Sequence, residues 1–255
     1  MSVKTLLDLS GRVALVTGGS RGLGLQIAEA LGEMGAKVAI SARKKDELDQ
    51  AVSRLGGKAS AFVADIGKRE TIAPLADAVL KKFGKVDILV NNAGATWGAP
   101  AEQHPLEAWD KLVNVNLSGA FVLTQVIAVK SMIPAKWGRI INVASIAGLM
   151  GQDPRFAPTA AYTATKHGLV GLTRQLAAEW GVHGITVNAI CPGFFPSKMT
   201  RATLDTAGAL IKEWTPTRRF GGEEDLKGLA VLLASEASRH ITGQAIAVDG
   251  GTTII

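Results

Sequence analysis

The sequence predicts an α/β protein: a single domain on a doubly wound parallel sheet of about seven strands, with helices on both faces. Three observations predict it. Short apolar runs rich in β-branched residues alternate with longer helical patterns along all 255 residues. Those short runs are apolar throughout rather than at every second position, as strands covered on both faces must be. The first of them runs into a glycine-rich turn that opens a helix, the kind of junction where open α/β sheets hold ligands.

The elements follow in order. Residues 13–17, VALVT, read as a buried strand, 22–34 as an amphipathic helix, 37–41 as the second strand and 44–55 as a charged helix. Further strands are expected at 59–64, 86–90, 139–144, 185–190 and 245–248. Further helices are expected at 68–83, 106–114, 119–133, 160–180 and 223–234. Right-handed crossovers between such strands wind the sheet and place ligand sites at their carboxyl ends. No linker, charge block or internal repeat divides the chain, so residues 1–255 read as one domain. The least regular stretch holds Pro192, Pro196 and Pro216 around a short helical pattern at 201–214. It reads as a substrate lid over about 193–220 or as a long connection.

Composition excludes several classes. One cysteine, Cys191, and four histidines rule out an intrachain disulfide framework and argue against a zinc site, so no metal is expected. The 28 basic residues exceed the 22 acidic ones by six, but the only basic run, Arg43-Lys44-Lys45, is followed at once by Asp46, Glu47 and Asp49. This is a solvated surface with room for an anionic small ligand, and no nucleic-acid partner is expected. No segment is read as approaching the ~20 apolar residues that span a bilayer. The start, MSVKTLLDLSGR, lacks the apolar core and cleavage site of a signal peptide. The expected location is cytoplasmic, with no membrane partner and a reduced thiol.

The glycine turn reads Thr17-Gly18-Gly19-Ser20-Arg21-Gly22-Leu23-Gly24. Glycines there permit a tight turn and close backbone approach to a diphosphate at a helix N-terminus, where free N–H groups and the dipole favour anions. The spacing Gly-x-x-x-Gly-x-Gly differs from the commoner Gly-x-Gly-x-x-Gly of dinucleotide folds. An acid that would bind the adenosine ribose of NAD about 20 residues further on is missing at the end of the second strand, which reads Ile40-Ser41-Ala42-Arg43. Arg43 and Arg21 would instead suit a 2′-phosphate, hence NADP, each charge-assisted bond contributing roughly 1.5–3 kcal/mol.

Tyr162, the only tyrosine, is followed four residues later by Lys166 in a helical pattern, so both side chains share a face. A cation beside a phenol lowers its pKa from ~10 toward working pH. That makes an acid/base for an alcohol oxygen.

The ordered set formed by the glycine turn, Asn91-Asn92-Ala93-Gly94, Ser145, Tyr162-x-x-x-Lys166 and Pro192-Gly193 resembles the short-chain dehydrogenase/reductase superfamily over nearly the whole chain. The resemblance implies a Rossmann-like fold and a role for each residue. Tyr162 is implied as the catalytic acid/base, and Ser145 as the hydrogen-bond donor to the substrate carbonyl. Lys166 is implied at the nicotinamide ribose, and Asn116 in support of a proton relay through water. Cofactor contacts are implied for Gly18, Ser20, Arg21, Gly22, Leu23 and Gly24, for Arg43, for Asp65 and Ile66 at the adenine, and for Asn92, Ala93 and Gly94 beside the ribose. Pro192, Gly193, Phe195 and Ser197 are implied as the loop that holds the nicotinamide carboxamide. An arginine at the position of Arg43 accompanies NADP use in reductases of the family. Ser145 and Tyr162 lie 17 residues apart, a few more than is usual there, so the insert at 150–158 is expected to bulge at the substrate mouth.

Within the family the chain is similar to 3-oxoacyl-(acyl-carrier-protein) reductases, in particular the rhamnolipid-associated branch, through Ala93-Gly-Ala-Thr-Trp97-Gly98 and Pro192-Gly-Phe-Phe-Pro196-Ser-Lys-Met-Thr200. Trp97, Phe194 and Met199 become candidate substrate contacts, with Phe195, Leu204, Leu210, Ile211 and Trp214 lining an apolar mouth for an acyl chain. The expected reaction is reduction of a ketone, foremost a 3-oxoacyl thioester, by NADPH. One departure counts against a carrier protein: Lys136 keeps the first basic docking position, but Ala178 replaces the second. A coenzyme A thioester, a free ketone or a sugar acid then comes into question, with gluconate 5-dehydrogenase relatives as the second enzyme reading. A non-catalytic NADP-binding regulator would carry a broken Asn/Ser/Tyr/Lys set, and all four members are present. Gly168 and Gly171 in the 160–180 helix suggest close packing of another element, and the family pairs this helix across a dimer interface, so a homotetramer is expected.

Overall fold

The computed structural model describes every residue except Pro154, Phe156 and Ala157. Among the described residues, seven parallel strands form one sheet in the order β3-β2-β1-β4-β5-β6-β7. They are β1 (Val13–Thr17), β2 (Lys37–Ala42), β3 (Ser60–Val63), β4 (Ile88–Asn91), β5 (Gly138–Val143), β6 (Ile185–Pro192) and β7 (Ala245–Val248). The helices are α1 (Val3–Leu7), α2 (Gly22–Glu33), α3 (Lys45–Arg54), α4 (Arg69–Phe83), α5 (Leu106–Val113), α6 (Gly119–Ile127), α7 (Ile133–Ala135), α8 (Ala160–Trp180), α9 (Arg201–Trp214) and α10 (Lys227–Ala234). The fold is the Rossmann-like doubly wound sheet that the sequence predicts.

Alternation along β1 shows how one sheet serves two cores. Ala14 and Val16 face the side covered by α2, α3 and α10, where Leu31, Leu48 and Leu233 are buried. Leu15 faces the other side, among Ile72 and Val79 of α4, Leu123 of α6 and Leu176 of α8. With both faces covered, Val13, Ala14, Leu15 and Val16 are all buried, which is why the strand reads as an apolar run up to Thr17 at its carboxyl end. The chain winds outward from β1 to β3, crosses back through α4 to β4 beside β1, and then winds the other way. The direction changes between β1 and β4, paired at Ala14↔Ile88 and Val16↔Val90, and a crevice opens at their carboxyl ends.

Most elements lie within two residues of expectation, and the differences have local causes. The helices expected at 106–114 and 119–133 are one continuous run, joined by wide π turns at Asn114–Ser118 and Ala128–Met132. That run, Leu106–Ala135, is by length and composition apolar enough to cross a bilayer, which corrects the expectation that no segment is. Here Leu112, Leu123, Ile127 and Met132 are buried inside the protein. The last helix begins at Lys227 rather than 223, because the Asp225 carboxylate accepts from the Gly222 amide and closes a turn first. The short α1, capped by Ser2, carried no periodicity long enough to read. Part of the 150–158 insert, at Pro154, Phe156 and Ala157, lies outside the described residues.

Candidate active site

The glycine turn and the end of β4 are sewn together at the crevice. The Thr17 hydroxyl donates to the Val90 carbonyl (3.3 Å) and accepts from the amides of Asn92 (3.1 Å) and Ala93 (3.0 Å). The Asn92 side-chain amide donates in return to the carbonyls of Thr17 (2.9 Å) and Gly18 (3.1 Å). Gly24 lies so close beneath that a Cβ there would collide with Asn92 and with the Gly18 carbonyl. Gly18 and Gly22 have φ of 63° and 54°, a left-handed backbone that favours glycine. Nothing lies within 4 Å of the place where a Gly22 Cβ would stand, and Arg21 caps α2 without a side-chain hydrogen bond. The result is an open cradle at a helix N-terminus whose first N–H groups no side chain claims, which fits a dinucleotide diphosphate. Ser20 and Leu23 lie on its rim, partly exposed.

Toward the adenosine end, Asp65 is partly buried and Ile66 buried after β3. The Asp65 carboxylate accepts from the Gly67 amide at 3.0 Å. Arg43 is exposed at the end of β2 and has no ion-pair partner among the described residues. Arg21 differs from expectation: its guanidinium is paired with Glu47 of α3 at 2.8 Å, and Lys44 approaches the same carboxylate oxygen at 3.6 Å. An acid therefore does stand beside Arg21, supplied by a helix rather than a strand end. Pattern reading along the strand missed it.

At the other end of the crevice, α8 brings Tyr162 and Lys166 beneath Ser145. The Ser145 hydroxyl hydrogen-bonds the Tyr162 phenol and accepts from the Ala147 amide at 3.1 Å. Lys166 is buried, and its ammonium donates to the Val143 carbonyl at 2.7 Å. It lies 5.6 Å from the centre of the Tyr162 ring and close to Gly94, where a Cβ would be 3.8 Å from Nζ. The Asn116 side chain joins three segments. It accepts from the Ala95 amide (2.9 Å) and donates to the Ala95 carbonyl (3.0 Å) and to the Thr165 hydroxyl (3.0 Å). Asn116 lies in the π turn, a departure from α geometry of the kind often found at functional sites.

The electrostatics correct one expectation. The Tyr162 pKa is raised above 10, not lowered: burial of the phenol dominates, the Ser145 hydrogen bond opposes it, and the nearby Cys191 thiol adds to it. Burial also moves Lys166 down to about 8. Lysine cannot strongly stabilise a phenolate while its own charge is desolvated and spent on a carbonyl. Cys191 itself is pushed up to about 11 by burial, against a hydrogen bond from the Ser145 amide. It is a packed, inert thiol behind the serine.

At the end of β6, Pro192 is buried, and the Gly193 amide that follows donates to the Val248 carbonyl at 3.0 Å. Ser197 and Thr200 share hydroxyl and amide bonds that start α9. Helix α9 has the expected bounds, but the apolar residues of 193–220 divide. Phe195 and Ile211 are buried, with Phe195 packed on Gly221, so their side chains belong to the core rather than to the mouth. Phe194 is partly buried, while Trp97, Met199 and Trp214 are each at least 40% exposed. Arg155 of the insert lies over the Trp214 ring at 4.9 Å, which ties the insert to the end of α9. No cluster of three or more His, Cys, Asp or Glu that could hold a metal occurs among the described residues.

Fold and site together describe a dinucleotide-binding oxidoreductase. The profile of the short chain dehydrogenases matches residues 12–208, and the chain belongs to that family. It is 39% identical to gluconate 5-dehydrogenase of Gluconobacter oxydans over 100% of this chain and 99% of that one. It is 35% identical to the 3-oxoacyl-[acyl-carrier-protein] reductase FabG of Escherichia coli, over 98% and 100% respectively. Among solved structures, a gluconate 5-dehydrogenase from Burkholderia cenocepacia in complex with NADP and tartrate superposes with a TM-score of 0.93 at 34% identity, covering all of both chains. The protein is thus an oxidoreductase acting on CH–OH groups.

Replacing Asn116 by alanine removes all three bonds and leaves the half-buried Ala95 amide and carbonyl without their side-chain partner, while the Thr165 hydroxyl keeps its bond to the Tyr162 carbonyl. Urea denaturation should then show a loss of about 2 kcal/mol or more, with turnover falling further than dinucleotide affinity does.

Proposed function

We propose that the protein is an NADP-dependent dehydrogenase/reductase that interconverts a secondary alcohol and a ketone in a sugar acid or polyol, as gluconate 5-dehydrogenase does. The observation that carries this reading is end-to-end similarity to gluconate 5-dehydrogenases in sequence and in structure, with the Asn116, Ser145, Tyr162 and Lys166 set assembled in one crevice. A 3-oxoacyl thioester on a carrier protein, the substrate put first from sequence, becomes the second reading. Its relatives are also similar over the full chain, but exposed Ala178 offers no cation for an acidic carrier. The mouth is also less apolar than expected, with Phe195 and Ile211 turned into the core.

The residues divide the work. The cradle formed by Gly18, Ser20, Gly22, Leu23 and Gly24 holds the diphosphate, Asp65 and Ile66 the adenine, and Arg21 with Arg43 the 2′-phosphate. Asn92, Ala93, Gly94 and Lys166 flank the nicotinamide ribose, and the backbone at Pro192, Gly193, Phe195 and Ser197 holds the carboxamide. When bound, the nicotinamide supplies or accepts the hydride. Ser145 donates a hydrogen bond to the substrate oxygen, and Tyr162 gives that oxygen its proton as the ketone is reduced. Trp97, Phe194 and Met199 face the substrate, with the segment at 193–220 closing over it. Asn116 is a positioning residue whose side chain sets Ala95 and Thr165.

A raised Tyr162 pKa fixes the direction of the pH dependence. The protonated phenol, the acid needed for reduction, is present below that pKa and lost above it, whereas alcohol oxidation needs the phenolate. Reduction of a ketone with NADPH should therefore hold its rate through neutral pH and fall only in the alkaline range, while oxidation climbs from pH 8 to 10. Tyr162→Phe should abolish both and leave NADPH binding intact; retained turnover would remove Tyr162 from its role.

A panel pairing keto-sugar acids and ketopolyols with 3-oxoacyl thioesters, read as NADPH oxidation, tests the substrate class. Turnover of the sugar acids or polyols at least tenfold above the thioesters is expected. NADPH binding with turnover of none of them would favour the regulator.

A homotetramer is also proposed. Gly168 packs on Leu117 of its own chain, but Gly171 has nothing within 4 Å, and with Leu117, Phe121 and Leu172 it borders an open hollow on α8. Multi-angle light scattering should give about four times 26.6 kDa; a monomer mass would refute it.

A further inference from the structure

Glu47 is the unexpected group at the ribose edge. It lies 23 positions after Gly24 in sequence, in the first turn of α3, where the helix N-terminus favours an acid. Leu48 beside it is fully buried and anchors that turn. One carboxylate oxygen faces two cations, Arg21 at 2.8 Å and Lys44 at 3.6 Å. The carboxylate is also less exposed than either partner: its side chain is 24% accessible, against 50% for Arg21 and 62% for Lys44. Two cations, Arg21 and Lys44, thus share a single, less exposed acid, and Arg43 precedes Lys44 in the chain.

This arrangement acts differently on the two nicotinamide dinucleotides. A dianionic 2′-phosphate must draw Arg21 away from Glu47 and tolerate a like charge beside it. A plain 2′-hydroxyl can donate to the carboxylate, and Arg21 keeps its partner. We propose that Glu47 is a cofactor-selectivity residue that restrains the preference for NADP(H) and keeps NAD(H) usable. The inference rests on the dinucleotide-binding reading above but not on the identity of the substrate.

The test is binding, read as nicotinamide fluorescence on titrating NADPH and NADH into the full-length protein and its variants. Glu47→Gln should tighten NADPH about 3–10-fold, the scale of a screened charge contact with a dianion, and should leave NADH equal or weaker. Glu47→Ala, which removes the same charge with a different side chain, should move the NADPH/NADH ratio the same way. In an Arg21→Gln background the Glu47→Gln effect should shrink by at least half. An unchanged ratio, a weakened NADPH complex or an equal effect without Arg21 would each overturn the proposal. Wild-type protein that binds neither dinucleotide would instead sink the functional reading itself. Tight binding without turnover of any ketone would leave the Glu47 result standing.

Discussion

The hydrogen-bonded seam between Thr17 and Asn92 is the constraint on which the rest of the site depends. One hydroxyl and one amide join the carboxyl ends of β1 and β4 by five bonds, at the point where the winding of the sheet reverses. Without it two adjacent strands would diverge into separate loops. With it the glycine cradle on one side and Ala93-Gly94 on the other become the two walls of one crevice. Gly24 then has to be glycine for a packing reason, because the Asn92 amide occupies the space of a side chain.

A second, buried scaffold aligns the reacting end. Asn116 ties the Ala95 loop to α8 through Thr165, whose hydroxyl in turn donates to the Tyr162 carbonyl at 2.8 Å. Asn91 of β4 and Asn142 of β5 are joined at 2.8 Å, and Asn142 reaches Thr173 of α8 at 2.8 Å. These amides hold α8 at a set height against the sheet, so Tyr162 and Ser145 meet. The Asn116, Asn142 and Thr173 bonds stiffen the core, while the buried Asn91 Oδ1 has no hydrogen-bond partner among the described residues.

Charge is managed differently at the two ends of the crevice. At the reacting end it is desolvated: the phenol is pushed up and the lysine down, so protonated tyrosine is the resting form and the site favours giving a proton. At the ribose end the charges stay partly exposed and are balanced by the inner carboxylate of Glu47. There, selectivity comes from competition between anions for the same arginine. Stability depends little on such exposed pairs, which leaves that edge free to vary without disturbing the fold.

The sequence by itself determined the sheet, the order of its elements along the chain and the candidate residues that meet at the crevice. Strand and helix periodicities are local, and Tyr162 with Lys166 at i,i+4 shares a face on any helix. Helices α9 and α8 were legible to their end residues for the same reason. Only the tertiary structure decided the rest. The π turn that fuses two expected helices is set by what Asn116 reaches in Ala95 and Thr165, 21 and 49 residues away. The sign of the Tyr162 shift came from burial, which no spacing encodes. Whether Phe195 and Ile211 faced a substrate or the core depended on Gly221 and the sheet beneath. Arg21 looked like a free cation because its partner, Glu47, is 26 residues away in sequence and 2.8 Å away in space. Short-range chemistry is written in neighbouring letters, but burial and charge pairing across loops exist only once the chain has folded.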